Sequence, residues 1–204
     1  EGLGNQFLGN IRECDAIIHV LRCFDNGNIV HVDGSVDPVR DKEIIDTELQ
    51  LKDLETVETR IKRVEKLANV GGDKQAKIEY GLLLRYKEAL EQGKSARVVE
   101  LENEEEVAAS KNMFLLTTKP VLYVCNVDED GILEDNEYVA RVRKIADGEN
   151  APVVVICGKI EAEIAEMESE EDKKEFLEAV GLEESGLNPL IRAAYKALGL
   201  RTFF

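Results

Sequence analysis

Three short runs of consecutive apolar residues are the clearest pattern in the chain. They are residues 16–21 (AIIHVL), 121–125 (VLYVC) and 153–157 (VVVIC), and each is rich in β-branched side chains. Continuous apolar runs of this length are typical of β-strands that are buried on both faces of a sheet. The sequence therefore predicts three buried strands.

Amphipathic patterns predict helices around these strands. Four segments have the spacing of apolar and polar residues that a helix needs: 5–13, 137–146, 161–180 and 187–198. Strands that alternate with helices favour parallel βαβ units. We therefore predict an α/β domain, with a parallel sheet and flanking helices, formed by residues 1–40 and 119–204. Because three strands leave an edge of the sheet unpaired, we expect further strands to precede residue 1.

A long region without strand patterns separates the first two strands. Its first part has apolar residues every three or four positions, which places them on one stripe of a helix: Leu54, Val57, Ile61, Val64 and Ala68. Gly71-Gly72-Asp73 ends this helix, residues 74–90 can return antiparallel to it, and residues 104–116 have the pattern of a third helix. We predict that residues 41–118 form an inserted antiparallel α-helical hairpin of the coiled-coil type.

Composition and charge limit the class of protein. The 204 residues are 44% hydrophobic and 33% charged, which fits one or two globular domains. No apolar run approaches the ~20 residues that cross a bilayer, so we expect no membrane partner. The net charge of −16 disfavours a surface that binds nucleic acid throughout, and we expect no sequence-specific DNA binding. It does not exclude a local basic patch.

The cysteines and the acidic C-terminal region do not predict a metal site. The four cysteines lie far apart, which is typical of free thiols in a reducing cytoplasm. Glu161, Glu163 and Glu166 are close in sequence, but such a cluster is more typical of a solvated helix face than of a cation site. We predict no metal ligands in this chain.

Polar residues follow the second and third predicted strands. Asn126 comes directly after an apolar run, and Glu129 lies three positions later. Because ligands bind beyond the carboxyl ends of parallel strands, these residues are placed to contact a ligand. Gly158 follows the next strand and permits a close approach of the main chain. Taken alone, each loop is also explained as an ordinary turn with solvated polar residues.

The first of these loops is similar to the base-recognition loop of P-loop GTPases, Asn-Lys-x-Asp. Here Val127 stands in place of the Lys and Glu129 in place of the Asp. This Asn-x-x-Glu form resembles the YchF group of Obg-like ATPases, which use ATP where their relatives use GTP. Long segments along the whole chain support the resemblance, among them EGLGNQFLGNIRECDAI, CFDNGNIVHVDGSVDP, DTELQLKDLETVETRI, ICGKIEAEIAEM and EESGLNPLIRAAYKALGLRTFF.

The resemblance implies the middle part of a P-loop NTPase. The sequence contains no G-x-x-x-x-G-K-[ST] motif, so we expect the phosphate-binding loop before residue 1, and the family's TGS domain after residue 204. The expected fold is a partial P-loop GTPase-like sheet with the inserted hairpin. The expected activity is hydrolysis of ATP, with GTP less favoured, and this chain alone is expected to be almost inactive. Mg²⁺ would bind with the nucleotide through ligands outside this chain.

The resemblance also assigns roles to individual residues. Asn126, Val127 and Glu129 would set the choice of base, because the longer Glu129 side chain removes the reason to prefer guanine and Val127 offers only apolar contact. The main chain of Gly158, Lys159 and Ile160 would border the base.

His31 is a candidate catalytic residue in the long loop 25–38. Members of the family have a hydrophobic residue where classical GTPases use Gln to position water, so the resemblance implies that His31 orients the attacking water. A histidine that only packs locally remains the alternative. His19 lies within an apolar strand, and we interpret it as a core residue.

The predicted hairpin is basic although the chain is acidic. Residues 60–97 contain ten Lys or Arg and five acidic residues. The resemblance implies association with the ribosome in the cytoplasm, and the candidate contacts to ribosomal RNA phosphates are Arg60, Lys62, Arg63, Lys66, Lys74 and Lys77. The alternative is a charge that only keeps a projecting hairpin soluble. Two other functions stay open: a non-catalytic module whose hairpin binds a partner, and an Obg-like GTPase that prefers GTP.

Overall fold

The computed structural model describes residues 4–26, 34–70 and 72–200. Contacts divide them into two compact units. The residues up to Asp15 and Glu43–Pro120 form one, which we call the helical unit. Ala16–Lys42 and the residues from Val121 onward form the other, which we call the α/β unit.

The helical unit contains α1 (Asn5–Glu13), most of α2 (Pro38–Val70), α3 (Lys74–Glu91) and α4 (Glu104–Lys111), with a 3-10 turn at Ala96–Val98. Residues 38–42 of α2 belong to the α/β unit. Asp37 precedes α2, and its carboxylate accepts hydrogen bonds from the main-chain N–H groups of Val39 and Arg40 at 3.1 and 3.2 Å. An Asp at this position satisfies N–H groups that have no partner within the helix. This contact explains why α2 begins before the predicted residue 41.

Helices α2 and α3 form the predicted antiparallel hairpin. Glu58 pairs with Lys87, and Arg60 further along α2 pairs with Glu79 earlier on α3. The predicted apolar stripe of α2 faces α3, and Val57 is fully buried. Asp73 caps α3 by accepting hydrogen bonds from the N–H groups of Gln75 and Ala76. The helical hairpin that the sequence predicted is therefore confirmed.

Helix α1 packs with the helical unit. Leu8 is 1% exposed and lies in a cluster with Leu49 and Leu116. The α/β domain predicted from the sequence includes this segment, whereas the contacts place it in the helical unit. Sequence order places it next to the first strand, but its apolar residues find their partners on α2 and on the segment after α4.

The α/β unit is built on a parallel sheet of β1 (Ile17–Arg22), β2 (Val121–Asn126) and β3 (Val153–Ile156), in the order β1-β2-β3. Both neighbouring pairs are parallel, and Cys125 of β2 lies opposite Leu21 and Val155. The three predicted strands and their parallel arrangement are confirmed. The predicted burial on both faces is wrong for β1, where Ile18 and Val20 are 48% and 60% exposed.

Helices cover both faces of this sheet: α5 (Glu137–Glu149), α6 (Gly158–Glu166), α7 (Glu170–Ala179) and α8 (Leu187–Ala197). Tyr123 and Cys125 pack with residues of α5 and α6 on one face. Leu122 and Val124 pack with residues of α8 on the other. This arrangement confirms an α/β fold with flanking helices. Within the described ranges, no helix combines the length and the apolar character that a membrane span requires.

Two predicted helices end or break earlier than expected. The third helix of the helical unit ends at Lys111 instead of residue 116, and a turn with Phe114 at φ 53° follows. The predicted helix 161–180 is two helices, α6 and α7. Ser169 begins the second, because its hydroxyl oxygen accepts hydrogen bonds from the N–H groups of Glu171 and Asp172.

Candidate functional site

Asn126 joins the loops that follow all three strands. Its side-chain oxygen accepts a hydrogen bond from the N–H of Gly158 at 2.9 Å. Its main-chain oxygen accepts one from the N–H of Cys23, the residue after β1, at 2.8 Å. A Cβ on Gly158 would lie 3.2 Å from Asn126 Oδ1, so a larger residue would disturb this contact. Asn126, the last residue of β2, therefore holds the loops at the carboxyl edge of the sheet together. Its predicted contact with a base stays a prediction.

The loop after Asn126 is tightly folded. Asp128 Oδ1 accepts a hydrogen bond from the N–H of Gly131 at 2.9 Å. The Asn136 side chain donates to the Cys23 carbonyl at 2.7 Å and caps α5 by accepting from the N–H of Val139 at 3.0 Å. A Cβ on Gly131 would lie 3.1 Å from both Asp128 Oδ1 and Val127 Cβ. The loop is thus held in one conformation by short-range contacts.

Two of the predicted base-binding residues have side chains that point into the protein, which for Ile160 leaves the predicted main-chain contact possible. Val127 is 2% exposed and Ile160 is 3% exposed, and both lie in the main core of the α/β unit. The N–H of Val127 donates to the Ile156 carbonyl at 2.8 Å, which continues the pairing of β2 with β3. The apolar contact with a base that the sequence suggested for Val127 would require this side chain to leave the core. Its role here is packing.

An ion pair links the two loops on the surface. Lys159 Nζ lies 2.7 Å from Glu129 Oε1, and the side chains are 64% and 56% exposed. The hydrogen bond to Glu129 raises the pKa of Lys159 above its ordinary value. The two residues lie 30 positions apart in sequence, so the pair was not predictable from local patterns. It holds the Glu129 carboxylate beside the beginning of α6.

The beginning of α6 offers hydrogen-bond donors beside Asn126. Gly158 is the first residue of α6, so the N–H groups of Lys159 and Ile160 lie in the first turn, where a helix has no internal acceptors. The helix dipole adds partial positive charge at the same point. Together with the side-chain amide of Asn126, these groups can recognise the polar edge of a ligand.

A carboxylate that the sequence analysis assigned to a solvated helix face is instead structural. Glu161 accepts hydrogen bonds from the Ser185 hydroxyl and from the N–H of Gly186, the latter at 2.7 Å. A Cβ on Gly186 would lie only 2.8 Å from Ile156 Cγ2. These contacts fix the segment before α8 against β3. No local sequence pattern connects residues this far apart, so these contacts were not predictable.

The structure describes one of the two histidines, His19, but not His31. His31 lies outside the described residues, so its predicted catalytic role stays a prediction. His19 is partly buried in β1, with its ring centroid 5.8 Å from that of Tyr123.

The six basic candidates fall into two groups. Arg60 pairs with Glu79 and donates to the Asn112 carbonyl at 2.9 Å, and Lys74 pairs with Glu105 at 2.7 Å. The other four are exposed, and no carboxylate of the described chain lies within ion-pair distance of them: Lys62, Arg63, Lys66 and Lys77. We call these four the basic surface.

Metal-ligating groups are not gathered in the described part of the chain. No three His, Cys, Asp or Glu side chains there lie close enough to hold a metal ion.

Comparison with known proteins gives consistent matches over the whole chain. It is 54% identical over 206 residues to the ribosome-binding ATPase YchF of Bacillus subtilis, covering 100% of this chain and 56% of that protein. It is 39% identical to the Obg-like ATPase 1 of Caenorhabditis elegans, covering 100% of this chain and 52% of that protein. The chain thus spans about half the length of the curated relatives it matches. No protein-family model matches it.

A solved structure has the same fold. The YchF GTPase of Schizosaccharomyces pombe superposes with a TM-score of 0.83 at 32% identity, covering 97% of this chain and 53% of that one. This similarity confirms that the sheet is of the P-loop GTPase type.

Proposed function

We propose that this chain, which is homologous along its whole length to the YchF-type Obg-like ATPases, supplies the base-binding edge and a partner-binding surface of a nucleoside triphosphate hydrolase. The observation that supports this proposal most directly is the contact of Asn126 with Gly158, which joins two loops at the carboxyl edge of a parallel sheet. The relatives are named ATPases, which agrees with a nucleotide ligand.

In this proposal a purine ring lies beside Asn126 and the first turn of α6. Guanine presents a pair of N–H donors, which an unpaired carboxylate recognises well. Two carboxylates follow Asn126 in the same loop, but Asp128 accepts a hydrogen bond from the N–H of Gly131 and Lys159 pairs with Glu129. Adenine does not require such a carboxylate, so we propose that ATP is preferred to GTP. A preference for GTP is the runner-up.

The hydrolytic step depends on groups that this sequence does not contain. Phosphoryl transfer relies on positioning and on charge stabilisation at the phosphates, and the chain has no Walker-type phosphate-binding motif. Mg²⁺ would neutralise phosphate charge when it binds with the nucleotide. His31 remains our candidate for orienting the attacking water. We expect this chain alone to hydrolyse nucleotides at a negligible rate.

The basic surface is proposed to contact phosphates of ribosomal RNA, which would place the protein in the cytoplasm. The relatives named ribosome-binding ATPases support this assignment. The four exposed side chains make no internal ion pairs in the described structure, so they are available to an anionic partner.

The test of nucleotide binding uses a hybrid protein in which this chain replaces the matched 206 residues of the Bacillus subtilis relative. We expect the hybrid to bind ATP, and Asn126→Ala to weaken binding by about tenfold, because it removes a hydrogen bond that orients the site. Fluorescence titration with an ATP analogue measures this. Asn69→Ala, on the exposed side of α2, is the matched control. A hybrid that binds neither ATP nor GTP at millimolar concentration would favour the non-catalytic interaction module.

The ion pair between Lys159 and Glu129 gives a separate prediction on base choice. In the hybrid, Lys159→Ala should lower the preference for ATP over GTP by up to about fivefold, because it frees the Glu129 carboxylate for the N–H donors of guanine and exposed ion pairs are weak. Lys159→Arg keeps the pair and should leave the preference unchanged, and Lys174→Ala on α7 is the control. Competition titrations with ATP and GTP measure the ratio. An unchanged ratio in Lys159→Ala would show that the pairing with Lys159 is not what keeps Glu129 from recognising guanine.

A further inference from the structure

Phe114 has an unfavourable backbone conformation and an exposed aromatic ring. Its φ is 53°, in the left-handed region. The residue is 60% exposed to solvent. A bulky residue is rare in this region, because its Cβ approaches the neighbouring carbonyl oxygen. Since most of the ring faces solvent, packing compensates little of this cost.

The fold explains the backbone at this position but not the ring. The neighbouring Met113 and Leu115 are 3% and 1% exposed, and both belong to the core of the helical unit. A left-handed residue after α4 turns the chain so that both neighbours reach the core. Glycine adopts this conformation without steric cost and is the usual residue at such turns. The ring of Phe114 therefore has no evident structural purpose.

Basic side chains lie around this turn. Arg60 of α2 donates to the Asn112 carbonyl at 2.9 Å, two residues before Phe114. Lys111 is exposed in the last turn of α4, and Arg63 is exposed one turn further along α2 from Arg60. The acidic residues 104–106 lie in the first turn of α4, roughly 10 Å away along the helix axis. Arg60 is paired with Glu79, whereas Arg63 and Lys111 are exposed cations on the two helices, α2 and α4, that the contact between Arg60 and Asn112 joins next to this turn.

We propose that Phe114 stacks on an unpaired base of RNA while Arg63 and Lys111 contact adjacent phosphates. An exposed aromatic ring beside cationic side chains is the arrangement that binds single-stranded RNA and RNA loops, because every base has a face for stacking and every nucleotide has a phosphate. This inference rests on the proposed ribosome association and identifies the part of the partner, a single-stranded segment, that the helical unit binds. Arg60 is a positioning residue, since it is held by Glu79 and Asn112.

Fluorescence tests the stacking directly. The chain contains no tryptophan, so Phe114→Trp introduces a single reporter. Titration with a single-stranded RNA oligonucleotide of mixed sequence should quench its emission, and the same sequence annealed to its complement should quench it much less. Val98→Trp provides the control, because Val98 is 55% exposed on the same unit. Equal quenching at both positions, or none at position 114, would overturn the proposal.

A second variant separates binding from folding. Phe114→Gly should weaken ribosome binding by about 5- to 100-fold, the range expected for the loss of one base–aromatic stack. Its Tm should equal or exceed that of the wild type by up to about 4 °C, because glycine relieves the left-handed conformation. Phe114→Tyr should retain binding. A lowered Tm would show that the ring is a packing residue and would contradict the inference.

The outcomes also distinguish this inference from the proposed function. If reversing the charge of the basic surface abolishes ribosome binding and Phe114→Gly does not weaken it, the stacking role fails and the ribosome association stands. If Phe114→Gly weakens ribosome binding and single-stranded RNA does not quench the tryptophan, the ring contacts a ribosomal protein, and the RNA assignment is overturned. If the wild type does not bind ribosomes, the proposed partner fails, and quenching by RNA still decides whether Phe114 stacks on bases.

Discussion

Replacing Lys62, Arg63 and Lys66 with glutamate is expected to weaken ribosome binding by at least about 100-fold at low salt. Each basic side chain that contacts a phosphate releases a counterion, so losing three such contacts lowers the slope of log K against log salt by about two to three. The introduced carboxylates add repulsion. All three residues are exposed in the described structure, so folding should change little. Co-sedimentation with ribosomes between 50 and 200 mM KCl measures both the affinity and the slope.

The matched control places the same change of net charge elsewhere. Lys144, Lys174 and Lys196 are exposed residues of the α/β unit, and their reversal to glutamate also takes the formal charge from −16 to −22. This variant should retain most of its binding. Equal losses in the two triple variants would show that overall charge, and not the basic surface, governs association. The positive charge of the hairpin would then only keep the projecting hairpin soluble.

Among the six candidates, the sequence could not distinguish paired from unpaired side chains. Composition alone predicted a basic hairpin. Because the rest of the chain is acidic, this local positive charge indicated a surface for an anionic partner. The pairing of Arg60 with Glu79 and of Lys74 with Glu105 depends on how α2, α3 and α4 pack, which no local pattern specifies. Reversal of Lys74 removes an internal ion pair as well as a positive charge, so it is a poorer probe of the partner than Lys62.

The sheet and Asn126 were predictable because each prediction rests on a local pattern. An apolar run gives the strand, and the polar residue after it gives the carboxyl edge. The burial of Val127 could have been predicted as well. Residues on one face of a strand recur every second position, and Tyr123, Cys125 and Val127 all belong to the same core cluster. The strand alternation simply continues one residue beyond Asn126.

Other differences between the predicted and the observed structure come from a local helix start and from contacts between loops that are far apart in sequence. Ser169 followed by three acidic residues is a recognisable helix start, so the break between α6 and α7 was visible in the sequence. The pairs Glu129 with Lys159 and Glu161 with Gly186 join separate loops. They arise only when the sheet brings the carboxyl ends of its strands together.

Asp53 was not apparent as a special residue from the sequence, because it lies among many charged residues of α2. In the structure it is 1% exposed. Its carboxylate accepts hydrogen bonds from the N–H of Leu116, the N–H of Thr117 and the Thr117 hydroxyl, at 2.7, 2.7 and 2.6 Å. The Thr117 hydroxyl oxygen in turn accepts a hydrogen bond from the N–H of Ala96 at 2.9 Å. One carboxylate therefore holds together three segments of the helical unit.

Asp53→Asn is expected to lower the free energy of unfolding of the helical unit by about 2–4 kcal/mol. The NH2 half of the asparagine side chain cannot accept a hydrogen bond, so at least one of the three buried donors loses its acceptor and faces another donor. Urea denaturation followed by circular dichroism measures the change. Glu55→Gln removes a charge from the exposed side of the same helix and should cost less than about 0.5 kcal/mol. Equal effects of the two substitutions would show that charge, and not the buried hydrogen bonds, determines stability.

The pH dependence of stability provides an independent test of Asp53. Burial raises the pKa of its carboxyl above the ordinary value of 3.8, although the hydrogen bonds from Thr117 and Leu116 act in the opposite direction. A raised pKa means that the folded state binds the proton more tightly than the unfolded state does. The wild type should therefore lose stability from this group as the pH rises from 3.8 through the raised pKa. Asp53→Asn lacks this titration, so the difference in unfolding free energy between the two proteins should shrink as the pH rises through that window. A constant difference would mean that Asp53 titrates alike in both states, and that its three hydrogen bonds offset the cost of burial completely.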